Sequence, residues 1–294
     1  MNIASPCVGT CKLDDATGWC FGCARTGDEI ADWRLRSEAE RMSVWEELPG
    51  RFAKLGLACR RLPWTTEDIR KFVVESLSRA SGTWVVGVVG AVAEFKAKPG
   101  ETVELRREGT QVVALTDGGA LRFDIDDDLR ALTFDTADTP PARQRVVLAV
   151  KRERGRVSVT NNIADLGHDI GAVSTADRQK HLFDLGLDRK EARFCVRVEP
   201  GAVRDALTSV AGHSLSAALP QIGPDLLRES PIRVVESALG RIEVSTPIPA
   251  PGGASPAGPH THLLPDHLAT GRALPAGMDL PRAYLPGAIY YPTT

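Results

Sequence analysis

The sequence predicts an α+β protein in which a small metal-stabilised helical module precedes a domain with a largely antiparallel sheet. Three observations predict it. Four cysteines crowd into residues 7–23, two capped helical patterns follow, and from residue 83 short β-rich runs succeed one another with turn residues between them. Consecutive strands without intervening helices close as antiparallel meanders, because parallel neighbours need a long crossover. A chain of 294 residues suggests about two domains, and the change of pattern divides it into residues 1–62 and 63–294.

Each element follows from local chemistry. Ser37-Glu38-Ala39-Glu40 has the form of a capping box, and Met42, Trp45 and Leu48 share one helical face, which predicts a helix over about 38–48 ended by Pro49-Gly50. The stretch to Pro63 reads as a connection. A second helix begins near Thr65 to Asp68, with Ile69, Phe72, Val73 and Leu77 as its apolar stripe and Gly82 as its close. Strands are expected at 84–95, 102–106, 112–116, 120–124, 129–135, 145–150 and 156–160, with Asp117-Gly118-Gly119 as a hairpin turn. Helices are expected at 174–183, 201–211 and 224–229, around a strand at 194–198 and a hairpin of 232–236 with 241–245. Ten of the twenty prolines fall in residues 247–294, so the tail reads as an irregular segment draped over the domain or partly disordered. Its apolar residues Leu263, Leu264, Leu268, Leu274, Leu280, Tyr284, Ile289 and Tyr290 predict that it is nonetheless ordered.

Composition narrows the function classes. A formal charge of −2 supplies no field for nucleic acid or an anionic membrane, and residues 1–62 balance nine Lys/Arg against nine Asp/Glu. The longest apolar stretch, Trp84 to Ala93, is about half the length of a membrane span and reads as a buried strand. The N-terminus lacks a charged region followed by an apolar run, so a cytoplasmic protein is expected, whose partner is a protein. In that compartment thiols stay reduced, which favours metal ligation over disulfides.

Cys7, Cys11, Cys20 and Cys23 are the candidate ligands. Two close pairs separated by eight residues can meet around one centre, as Cys-x₃-Cys and Cys-x₂-Cys. Four thiolates suit Zn²⁺, a d¹⁰ ion that settles into a sulfur tetrahedron, and Gly22 lets the second turn fold tightly enough for amide N–H groups to point at sulfur. The same ligands can hold an iron–sulfur cluster, and spacing does not separate the two.

The residues from Ser5-Pro6-Cys7-Val8-Gly9-Thr10-Cys11 through Trp19-Cys20-Phe21-Gly22-Cys23-Ala24-Arg25-Thr26 to Ile30-Ala31-Asp32-Trp33 carry a resemblance. Over about residues 5–52 the chain resembles a family of small bacterial four-cysteine proteins of unknown function, described as predicted iron–sulfur proteins. That implies a metal or cluster module. Residues from about 83 to 294 are similar to an uncharacterised proteobacterial domain that ends in the stretch found here from Gly258 to Pro265, Gly-Pro-His-Thr-His-Leu-Leu-Pro. This second likeness implies no activity, but it makes the tail part of a domain.

Other candidates weigh less. His260, His262 and His267 lie within eight residues, beside Asp266, and imidazoles can bind a divalent ion, yet their spacing matches no helical metal motif and hydrogen bonding to backbone explains them. Cys195 alternates within 193–198 as a core strand residue would, and Cys59 is isolated. The acidic run Asp124, Asp126, Asp127 and Asp128 lacks the pattern of a calcium loop and reads as a solvated hairpin end. Trp19, Trp33, Trp45 and Trp64 are expected to pack around the metal. Three functional readings follow, in order: a binding or adaptor protein with a structural metal, an iron–sulfur electron-transfer or cluster-carrying protein, and a metal-dependent enzyme using the tail histidines. No nucleophile elbow or phosphate loop supports an enzyme.

Overall fold

The computed structural model describes every residue except 1–2, 89–90, 137, 155–156, 158–159, 188–190, 251, 264–279 and 294. The chain is α+β, with two antiparallel sheets behind a small helical N-terminal region. That region holds α1 (Gly27–Ala31) and α2 (Glu38–Lys54), each opened by a capping box, Thr26 with Glu29 and Ser37 with Glu40. The expected helix end at Pro49-Gly50 is overruled. Proline at position 49 removes one backbone donor, but Leu48 and Phe52 are buried with Trp33, Val44 and Trp45, and Arg51 pairs with Glu29 of α1, so packing carries the helix another turn.

The seven-stranded sheet contains β1 (Arg60–Arg61), β2 (Gly82–Val88), β3 (Ala91–Phe95), β7 (Leu129–Thr133), β8 (Val146–Lys151), β14 (His260–Leu263) and β15 (Tyr284–Pro292), in the order β1-β7-β8-β15-β2-β3-β14. The eight-stranded sheet runs β4 (Glu104–Glu108), β5 (Gln111–Thr116), β6 (Gly119–Asp124), β13 (Gly240–Val244), β12 (Ile232–Ser237), β11 (Ala192–Val198), β10 (His181–Asp184) and β9 (Ala164–His168). Their facing sides form one core. Trp84, Val86, Ala93, Phe95 and Leu148 from the first sheet meet Leu121, Phe123, Phe194, Val235 and Ile242 from the second. Helix α3 (Thr66–Ser78) adds Ile69, Val73 and Leu77, while α4 (Ala202–Ser209) and α5 (Leu215–Glu229) add Val203, Leu207, Ile222 and Leu226. No helix among the described residues is long and apolar enough to cross a membrane.

Several expectations are corrected. The run 84–95 is a hairpin of two strands, with Val88 paired to Ala91. Gly82 does not close α3, which ends at Ser78 with Arg79 as its C-cap, but opens β2, where a Cβ would lie 2.4 Å from the Tyr291 carbonyl of the neighbouring strand. Residues 175–179 form only a 3₁₀ turn before β10, and α5 begins nine residues before the expected 224, with Pro220 and Pro224 inside it. The described strands of the tail are not draped over the domain but built into a sheet. The last of them, β15, lies between β8 and β2 in the middle of the sheet, and β14 forms the edge beyond β3. The strand expected at 156–160 falls mostly outside the described residues.

One register matters for function. Arg61, Leu132, Val147, Ile289, Val85, Glu94 and His260 are successive cross-strand partners, one residue from each strand of the seven-stranded sheet. Directly paired residues share a face. Because Trp84, Val86, Ala93 and Phe95 point into the core, this row lies on the sheet's outer side.

Candidate metal centre

The four-cysteine segment is built from two tight turns. Asp14 N–H donates to Trp19 O and Phe21 N–H to Lys12 O, so the chain doubles back and returns Cys20 beside the first loop. Ala24 N–H then closes the second turn on Cys20 O at 2.7 Å, with Ala24 itself at a positive φ of 56°. A Cβ on Gly22 would stand 2.3 Å from the carbonyl oxygen of Thr10. Only glycine lets the Cys20–Cys23 turn come this close to the Cys7–Cys11 loop.

Donors converge on the sulfurs. Gly22 N–H points at Cys20 Sγ at 3.3 Å and Gly9 N–H at Cys7 Sγ at 3.4 Å, while the Cys20 thiol donates to Thr10 O at 3.1 Å. Burial works against the Cys20 thiolate, but the backbone N–H groups of Gly22, Cys23 and Lys12 outweigh it and lower the thiol's pKa. For Cys23 burial wins, and its pKa rises to about 11 even with the Arg25 side chain beside it. Cys11 is also raised, by burial and then by the neighbouring Cys7 and Cys20. The sulfurs stand as two pairs, Cys7 with Cys11 and Cys20 with Cys23, but no three of the four lie within 4.8 Å of one another.

Arg25, quoted in the sequence motif without a role, is buried behind this site. Its Nε lies 3.5 Å from Cys23 Sγ, its Nη1 donates to Glu29 O, and its guanidinium covers the Trp33 ring at 4.7 Å. A four-thiolate centre carries net negative charge, and a buried guanidinium held against one sulfur balances part of it. The N–H groups and this cation favour negative charge on the sulfurs beside them. Trp33 and Trp45 pack in the module's core and Trp19 lies under Arg51 and Lys54, whereas Trp64 lies away from them, against Phe72 at 4.8 Å.

The module is also seated on the sheet. Val8 is buried with Leu132, Val147, Ala149, Tyr284 and Ile289, and the Arg61 guanidinium donates to the carbonyls of Ser5 and Cys7.

The comparisons with known proteins bear on both parts. Residues 68–294 match the Family of unknown function (DUF6925). The chain belongs to that family. Residues 5–52 match a second description, Protein of unknown function (DUF1289), so the cysteine module precedes the DUF6925 domain as a separately recognisable unit. No curated protein and no solved structure matches the chain.

Elsewhere in the DUF6925 domain, Cys195 is buried beside Leu182 and Val234, and burial pushes its thiol well up. Outside that domain, Cys59 is likewise pushed up by burial, to about 12. The acidic run does not end a hairpin, as expected, but links β6 of one sheet to β7 of the other; Lys151 bonds Asp128 at 2.6 Å, Arg154 pairs with Asp126, and the Thr66 hydroxyl donates to Asp127 at 2.6 Å. His267 and Asp266 lie outside the described residues, whereas His260 and His262 fall on β14. They meet a residue the sequence did not flag, Glu94 of β3.

Proposed function

We propose that this is a metal-binding protein in which Cys7, Cys11, Cys20 and Cys23 hold one zinc ion or iron–sulfur cluster, that the metal is structural, and that the chain serves as a binding or adaptor protein. The observation carrying the metal reading is the set of donors aimed at the sulfurs, Gly9 and Gly22 N–H and the buried Arg25 guanidinium. Thiols that only fill a core need no such groups, whereas thiolates on a metal do. A structural role is supported by the size of the module's apolar core, Ala24, Trp33, Val44, Trp45, Leu48 and Phe52, too few side chains to order some fifty residues alone.

A protein partner is supported by surface shape. A cleft of about 240 Å³ between α2 and β1 is lined by Met42, Trp45, Leu48, Pro49, Phe52 and Pro63, with Glu46, Arg60 and Arg61 also lining it, and Met42 is exposed. The deciding experiment is metal content and the visible spectrum of protein purified without oxygen. Colourless protein with one zinc per four-cysteine site supports a structural ion. Visible absorbance that bleaches on reduction, with iron and sulfide, would move the reading to an electron-transfer or cluster-carrying protein. Absence of either metal at the cysteines would refute it.

A further inference from the structure

We infer a second metal site, independent of the cysteines, in which Glu94, His260 and His262 bind a divalent first-row transition ion such as Zn²⁺ or Fe²⁺. Among the described residues, these three are the group of His, Cys, Asp or Glu side chains whose ligand atoms all lie within 4.8 Å of one another. The geometry comes from strand periodicity. His260 and His262 are two apart on β14 and share its outer face, and His260 is the direct partner of Glu94 on β3.

The spacings are those of a coordination shell. Glu94 Oε2 lies 3.5 Å from His260 Nε2, and Glu94 Oε1 lies 3.2 Å from His262 Nε2. Ligand atoms about 2.0–2.1 Å from a tetrahedral ion stand roughly 3.3 Å from each other. Hydrogen bonding explains the arrangement less well. His262 is 5% exposed, and its Nε2 has no hydrogen-bond partner despite its distance from the carboxylate. His260 Nδ1 lies 2.9 Å from Gly258 O, a contact in which the nitrogen must be the donor. In the neutral ring that tautomer leaves Nε2 as a lone pair aimed toward Glu94, so either a proton, giving an imidazolium–carboxylate pair, or a metal ion joins the two. A backbone carbonyl taking the distal N–H is also the usual support of a metal-bound histidine.

The ligand class follows. Two imidazoles and one carboxylate form a borderline N₂O set that suits Zn²⁺ or Fe²⁺ better than Ca²⁺ or Mg²⁺, which take oxygen ligands. Glu94 is 3% exposed, so a bound ion would also balance a buried carboxylate.

The test uses the full chain with zinc alone as the probe. Wild type, Glu94→Gln and His262→Gln are depleted of loosely held metal, equilibrated with Zn²⁺ and analysed for zinc per chain, alongside X-ray absorption at the zinc edge. Wild type is expected to carry one more equivalent than either variant, with zinc–nitrogen/oxygen scattering near 2.0 Å that both variants lose. Whatever the cysteines hold is expected to be unchanged. Equal zinc content in wild type and correctly folded variants would overturn the site. If the variants do not fold, the wild-type spectrum decides: zinc with only sulfur neighbours, or no zinc bound, overturns it as well.

Discussion

Replacing Gly22 by alanine isolates the contact that brings the two cysteine turns together. The new Cβ would lie 2.3 Å from Thr10 O, and an ordinary van der Waals contact begins near 3.4 Å, so the turns must part by roughly 1 Å. Neither side can yield cheaply, because the clash is backbone against side-chain root, not against a flexible tip. Coordination distances tolerate about 0.2 Å, so the displacement is several times what a four-sulfur site can absorb without rearranging. Perturbing the support of a ligand typically costs about 10–100-fold in metal affinity, or roughly 1.4–2.7 kcal/mol, and overpacking a close contact costs about 1–3 kcal/mol. The two routes agree. The assay is zinc competition against a chromogenic chelator under reducing conditions, with Gly27→Ala as control, since a Cβ there meets only Leu13 Cδ1 at 3.6 Å. Should the centre be a cluster, visible absorbance per chain replaces the chelator. Gly22→Ala within twofold of wild type would show that the turns do not share a metal.

Cys20→Ser is expected to remove the metal from the module and melt residues 24–52 while the DUF6925 domain keeps its cooperative transition, because structural zinc typically contributes on the order of 10 kcal/mol to such a unit; amide exchange that stays protected across the module would contradict this. Asp169→Asn should cost about 3–5 kcal/mol in urea unfolding, since Asp169 is 2% exposed and bonds Arg197 at 3.0 Å and Arg241 at 2.8 Å, so its loss leaves two buried cations underpaired. Burial raises the Asp169 pKa, but Arg241 and then Arg197 outweigh it and hold the carboxyl below its ordinary value. The stability it contributes is therefore present above the unfolded pKa of about 3.9 and is lost as pH falls through the folded value; an acid limb unchanged by Asp169→Asn would refute the assignment. Ile289→Ala should cost about 2–5 kcal/mol, as for a large-to-small change inside a central strand, and a loss below 1 kcal/mol would mean that the tail is not integral to the sheet.

Sequence reading succeeded where the physics is local. Capping boxes at Ser37 and Thr65 start helices as written, and Asp117-Gly118 and the 232–245 segment turn as hairpins, because a few neighbouring residues decide those conformations. It failed where packing overrides a local penalty. Pro49, Pro220 and Pro224 each sit inside a helix whose buried face outweighs the lost donor, and Pro286 enters a central strand next to a register shift between Pro286 and Ala288. The four candidate cysteines stand out because they lie close together in the chain. Glu94 does not, being 166 residues from His260 and hidden at the end of an apolar run. A signal was nevertheless present: His260-Thr261-His262 puts two imidazoles on one face if the segment is a strand, and comparing the pair only with helical motifs missed it.

The cross-strand row from Arg61 to His260 places the two proposed metal sites relative to each other. Arg61 at one end holds the carbonyls of Ser5 and Cys7, and Glu94 with His260 closes the other end. Six inter-strand steps of about 4.8 Å separate those ends by roughly 29 Å, far beyond a Debye length of about 8 Å at physiological salt. Direct repulsion between ions at the two sites is therefore negligible, and neither can share a ligand with the other. What joins them is packing alone, through Leu132, Val147, Ile289 and Val85, all buried in the sheet. A hydrogen-bonded sheet with both faces covered has no second arrangement of that row to switch into, so the sites should fill independently and their metal contents add. Coupling between them would require the module, with Val8 wedged over Val147 and Ile289, to lift off the sheet when the cysteines lose their metal.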